Sequence, residues 1–137
     1  VMLMSAKRGI GSLPVRAAPL MTKRERLVCA MIERAVPHAR VHAQVSMGAI
    51  LRPAAGLDRS RSTSVRNRFS SKRVDFVLED RASGDIIAIV ELDDRTHNRS
   101  ADRQRDRMTS RAGYLTIRLG PIRHTFASVQ QALAGVR

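Results

Sequence analysis

Aromatic residues are only 3% of this 137-residue chain: three Phe, one Tyr and no Trp. A core must therefore be built from Val, Ile, Leu, Met and Ala, and little remains for stacking on unpaired bases. Cysteine is nearly absent too. The single Cys29 excludes an intramolecular disulfide and fits a reducing compartment such as the cytoplasm. It falls at an apolar position of a predicted helix and reads as a small core residue. No apolar run approaches the roughly 18 residues needed to span a bilayer, so no membrane contact is expected of this segment. Val1-Met2-Leu3-Met4 is too short for a signal-peptide core and runs into Lys7-Arg8. Because the sequence starts on Val, an anchor or second domain upstream stays open. Acids are scarce as well, 12 against 25 Lys and Arg, for a net charge of +13. A small domain this basic points to a polyanion, since arginine forks match phosphate oxygens and release condensed counterions. Mere solubility, or a ribosome-like structural role, is the plainer account.

Residues 1–20 carry Gly, Pro and scattered Arg without periodicity and read as an arm or linker; 21–137 read as one domain. Thr22-Lys23-Arg24-Glu25 has the form of a capping box, and Leu27, Val28, Met31, Ile32 and Ala35 follow at helical spacing until Pro37. Val41 to Ser46 alternates as a strand. The stretch 48–72 reads as a long basic loop, either a solvated segment or a phosphate-contacting flap with Arg59, Arg61, Arg66, Arg68 and Lys72. Arg73–Leu78 and Ile86–Asp93 form two apolar strands around a polar connection. A polar helix is expected from about 101 to 112, with Gly113 at its C-cap, then a strand over 114–119 and a closing helix near 124–134. The helical crossover before the last strand implies a parallel pairing joined to an antiparallel hairpin. The fold class is therefore α/β: a mixed sheet of about four strands flanked by helices.

The apolar hairpin carries acids. If it is regular and centred near Ser83, Asp75 lies opposite Glu91, about 5 Å away at Cβ. Two carboxylates so placed repel unless a cation or a proton sits between them. Hydrolysis of a phosphodiester calls for a metal, an activated water and neutralisation of the leaving alkoxide. Magnesium, or manganese in its place, takes hard oxygen ligands, commonly one or two carboxylates with water and substrate phosphate. Asp75 and Glu91 supply such a pair, Leu92 an intervening backbone carbonyl, and Asp93 a further carboxylate on the same side by strand alternation. His97 on the following loop can act as general base or contact a phosphate. A structural reading stands beside this one: Glu91 and Asp93 can mark a strand surfacing into a turn, with Asp75 paired to Arg73 or to an arginine of the long loop. On the polar helix, Asp102–Arg105 and Arg103–Asp106 can pair as a salt-bridged solvated face, or the arginines can face phosphate.

Lys72-Arg73-Val74-Asp75-Phe76-Val77-Leu78, followed by Ile89-Val90-Glu91-Leu92-Asp93-Asp94-Arg95-Thr96-His97, resembles an uncharacterised bacterial domain family of the PD-(D/E)XK nuclease superfamily, related to very-short-patch-repair endonuclease-like proteins. The likeness extends to Leu20–Glu25, Gln44-Val45, Asp102, Asp106, Ala112-Gly113-Tyr114 and Ile117-Arg118. It implies a restriction-endonuclease-like fold, a nuclease activity on DNA rather than RNA, and Asp75 and Glu91 as metal holders. It also brings Glu25 toward the site, although Glu25 doubles as the capping-box acid; Gln44 is a further lining candidate and Lys72 a candidate cation. Arg59, Arg61, Arg66, Arg68, Arg73 and Arg95 are the expected phosphate contacts. One departure stands out: the superfamily's usual lysine, two residues after the second acid, is Asp93 here. Either His97 or Lys72 compensates, or Asp93 adds a ligand, or catalysis is lost. The remaining alternatives are a non-catalytic nucleic-acid-binding module with this fold and an assembly domain that meets an acidic protein. Oligomeric state stays open.

Overall fold

The computed structural model describes residues 13–94 and 99–137. Helix α1 (Lys23–Ala35) starts at the predicted capping box: the Thr22 hydroxyl accepts from the Glu25 amide at 3.1 Å, and Glu25 accepts from the Thr22 amide at 2.9 Å. Strand β1 (Ala39–Ser46), helices α2 (Met47–Ile50) and α3 (Arg59–Phe69), and strands β2 (Arg73–Asp80) and β3 (Ile86–Leu92) follow. Helix α4 (Arg99–Arg111), strand β4 (Thr116–Leu119) and helix α5 (Phe126–Ala132) complete the order.

The stretch 48–72 is not a loop. It holds α2 and the whole of α3, whose N-cap Asp58 accepts from the Arg61 amide at 2.8 Å. An Asp cap satisfies an orphan amide at a helix start, and this one precedes a sequence of modest helix propensity. The inward side of α3 is narrow: Phe69 is buried, and Ser62 and Val65 are half-buried. That narrowness left its helical period hard to see.

The sheet runs β1-β2-β3-β4. β1/β2 and β2/β3 are antiparallel and β3/β4 parallel, the mixed pattern that the crossover through α4 requires. This is an open α/β arrangement consistent with a restriction-endonuclease-like fold. One face of the sheet packs Phe76, Leu78, Ala88 and Val90 against Val28 and Ile32 of α1 and Val129 of α5. The other packs Val77 and Ile89 with Met47 of α2 and Phe69 of α3, joined by Met108 of α4. Cys29 sits in the first core, where burial and then the neighbouring Glu33 push its thiol up to about 11, the behaviour of an unreactive core residue. No helix among the described residues is long and apolar enough to cross a membrane.

Candidate functional site

Pairs Phe76↔Val90, Val77↔Ile89 and Leu78↔Ala88 set the β2/β3 register. Continued by one residue, this register sets Asp75 opposite Glu91. A bulge between Leu78 and Glu79, on the turn side of these pairs, shifts the register by one residue from Glu79↔Ile86 and so brings Asp75 opposite Glu91 rather than Val90. In β1 the pairs Ala43↔Phe76 and Val45↔Val74 bracket Gln44 beside Asp75, and in β4 Glu91 pairs with Arg118. Four polar residues therefore occupy one line across the sheet, Gln44, Asp75, Glu91 and Arg118.

Side-chain alternation puts Asp75 and Glu91 on the α2–α4 face, with Val77 and Ile89. The Leu92 amide donates to Asp75 Oδ2 at 2.8 Å and fixes that carboxylate. The structure thus shows the Leu92 N–H engaged at the site, where the sequence pointed to its carbonyl. Glu91 is 5% exposed. Burial first, then the charge of Asp75 and its hydrogen bonding to the neutral form, push Glu91 up to about 8, with the positive charge of Arg105 opposing. The pair is short of positive charge. Two hard carboxylates in that condition suit a divalent cation such as Mg²⁺ or Mn²⁺, which would take the place of the shared proton. Among the described residues, no third Asp, Glu, His or Cys joins them in a ready-made metal cluster.

Asp93 goes elsewhere. Its carboxylate takes Arg118 Nη1 at 2.7 Å, and Arg118 also makes a two-pronged contact with Asp106, at 2.8 and 3.1 Å. Asp102 lies 3.8 Å from the same guanidinium and pairs with Arg105 as the sequence predicted. Asp106, by contrast, pairs with Arg118 and not with Arg103 as predicted. Asp102 is buried, so the helix face bearing it is not the solvated face expected. Partial burial works against the Arg118 charge, but Asp106 and Asp93 outweigh it and raise its pKa above the ordinary arginine range. Sequence reasoning did not single out Arg118 as a site residue. The visible signal was its place two residues into the last strand, on the side that faces α4.

Gln44 also departs from expectation. Its φ is 54°, a left-handed conformation that a non-glycine side chain rarely adopts. Val41 and Ala43 pack with the α1 core but Val45 with the α2–α3 core, so the alternation of β1 changes at this residue. Gln44 Nε2 donates to Glu25 Oε2 at 2.5 Å, so Glu25 serves both the cap of α1 and this strand. Gln44→Val is expected to destabilise the fold by about 2 kcal/mol, because a β-branched residue resists positive φ; urea denaturation measures it. Lys72 Nζ donates to the Arg68 carbonyl at 2.7 Å, closing the end of α3. Arg73 is exposed, and its carbonyl accepts from Arg105 Nη1 at 3.2 Å. Arg59, Arg61, Arg66 and Arg68 are exposed on α3. Arg95 and His97 lie outside the described residues. An unforeseen strap helps to hold the exit of β3: Arg24 of α1 donates to the Asp93 and Gly120 carbonyls at 2.8 and 3.0 Å.

Residues 17–131 match the family described as "Protein of unknown function (DUF2726)". The chain belongs to that family. No curated protein and no solved structure matches it. DUF2726 membership therefore covers the whole sheet and the polar line across it.

Proposed function

We propose that this DUF2726 protein is a metal-dependent nuclease of the PD-(D/E)XK type, hydrolysing phosphodiesters in DNA with Mg²⁺ or Mn²⁺ held by Asp75 and Glu91. The observation that carries this reading is the opposed acid pair, with Glu91 buried and pushed up to about 8 beside Asp75. A buried acid held beside a second, half-buried acid is costly to keep for structure alone, whereas perturbed carboxylates cluster at working sites. A bound divalent cation would polarise the phosphoryl oxygen and lower the pKa of water. Asp75, fixed by the Leu92 amide, and Glu91, fixed by burial, supply two ligands from rigid strands. Arg105, close enough to act on Glu91, brings positive charge to the side where a substrate phosphate would lie. His97 is the candidate general base. A net charge of +13 suits DNA as the partner, and the lone buried Cys29 suits a cytoplasmic setting.

A second reading has its own observation. Asp93, at the place of the usual lysine, is bound up with Arg118 and offers neither a cation nor an open ligand. A DNA-binding module that has kept the fold without turnover would look the same there. Calorimetric titration with Mn²⁺ at pH 8 separates the two. A saturable signal in the wild type, lost in Glu91→Gln, is expected, with a rise in Tm as metal binds the folded state alone. Wild-type protein that takes up no Mn²⁺ refutes the nuclease reading.

A further inference from the structure

Helix α3 has a regular outer surface that the acid pair does not explain. At 3.6 residues per turn, Arg59 and Arg66 fall in one column and Arg61 and Arg68 in another, about 200° away across the outer side of the helix. Between these columns, on the side opposite Val65 and Phe69, lies a stripe of Ser60, Thr63, Ser64 and Asn67, all exposed. No acid occurs within α3, and Asp58 just before it is used as the N-cap. Among the described residues none of the four arginines has an ion-pair partner, whereas Arg105 and Arg118 are both paired with acids. Four like charges on three turns repel one another, and a matching polyanion removes that repulsion.

We propose that α3 is a groove-entering helix for duplex DNA, its two arginine columns meeting phosphates on either side and its small polar stripe facing the bases. The dimensions agree. An α-helix is about 10–12 Å across with its side chains, and the B-form major groove is about 12 Å wide. The central residues are short, so the helix axis can approach the base edges while the long arginines reach outward to the backbone. The only aromatic of α3, Phe69, is buried, which removes base stacking as a means of binding single strands. The A-form groove of duplex RNA is too deep and narrow for the same docking. α3 also packs on the sheet face that bears Asp75 and Glu91, and Ser70–Val74 join its end directly to Asp75. The inference rests on the nucleic-acid part of the reading above and not on hydrolysis.

The test is fluorescence anisotropy of a labelled 20-base-pair DNA duplex in EDTA across a salt series. The variants are Arg59→Ala/Arg66→Ala, Arg61→Ala/Arg68→Ala, and Arg103→Ala/Arg107→Ala on α4, which removes the same charge from an exposed part of another helix. Alanine favours an exposed helix, so all three are expected to fold. Each α3 pair is expected to lower the slope of log K against log salt by about 1.8, at roughly 0.9 for each phosphate no longer neutralised. The α4 pair is expected to change it by less than half as much. EDTA withholds the divalent cation, so binding is read apart from cleavage, and failure of the metal reading leaves this test unaffected. Equal losses from α3 and α4, equal affinity for duplex RNA, or no binding to DNA at low salt each overturn the proposal; the last result points to an acidic protein partner.

Discussion

Asp75→Asn is expected to lower Mg²⁺-supported DNA cleavage by about 10³-fold, some 4 kcal/mol of transition-state stabilisation, while leaving the protein more stable at neutral pH. The two effects share one cause. Asn keeps the shape of the side chain and can still accept from the Leu92 amide at the position of Oδ2. It removes the negative charge that a cation would need and that Glu91 resists. Glu91 is raised from its ordinary 4.5 to about 8 in the folded protein, by burial first and by Asp75 second. Between these values the folded state holds a proton that the unfolded chain has released. Stability contributed by Glu91 is therefore fully present below about 4.5 and falls as pH rises toward 8. Removing the Asp75 charge leaves the burial component, so the decline still begins near 4.5 but ends at a lower folded-state pKa and is smaller in total. At pH 8 the variant should gain on the order of 1 kcal/mol over wild type without metal. Saturating Mn²⁺ should reverse that ranking, because only wild type has the ligand pair. Thermal melts from pH 5 to 9, with and without Mn²⁺, read both effects, and a plasmid assay reads turnover. Undiminished cleavage by the Asn variant would remove Asp75 from the site.

The acid pair was legible in the sequence because hairpin register depends on a short local connection, and the bulge at Leu78/Glu79 compensates for a turn that is itself slightly irregular. The capping box at Thr22 and the parallel crossover were legible for the same reason, since each is set by neighbours or by element order. α3 was not. A helix that buries little beyond Ser62, Val65 and Phe69, and is otherwise Arg, Ser, Thr and Asn, has no apolar stripe to betray its period. Its cap Asp58 was a local signal, but it sits among Gly and Pro and is easily read as part of a turn. Gln44 was hidden more deeply. Alternation from Val41 to Val45 looks unbroken in one dimension, although the strand changes side at a single positive φ. The partners of Arg118 were out of reach because Asp93 lies 25 residues away and Asp106 lies 12 away, on separate elements. Asp93 was visible as a further carboxylate two residues after Glu91. Where its carboxylate would turn needed the fold.

Arg118→Met is expected to cost about 3 kcal/mol of stability, at the low end for removing one partner from a buried ion pair. The guanidinium side chain is 26% exposed, so solvent screens part of the interaction and a larger loss is not expected. What remains after substitution is a group of acids without their shared cation. Asp93 and Asp106 are each deprived of a cation held within 3 Å, and Asp102 of a more distant one at 3.8 Å. Arg118→Lys keeps the charge but not the planar fork that spans Asp93 and both oxygens of Asp106, and it should lose about 1 kcal/mol. Adding Asp106→Met to Arg118→Met removes an uncompensated carboxylate and should recover part of the loss, a coupling that a double-mutant cycle in urea would measure. If Arg118→Met costs less than about 0.5 kcal/mol, the cluster behaves as an exposed surface network. The larger loss would mean that β4 is tied to the end of β3 by charge at the place where Glu91 sits. Asp93 would then act by holding the end of the strand that carries Glu91, through its ion pair with Arg118.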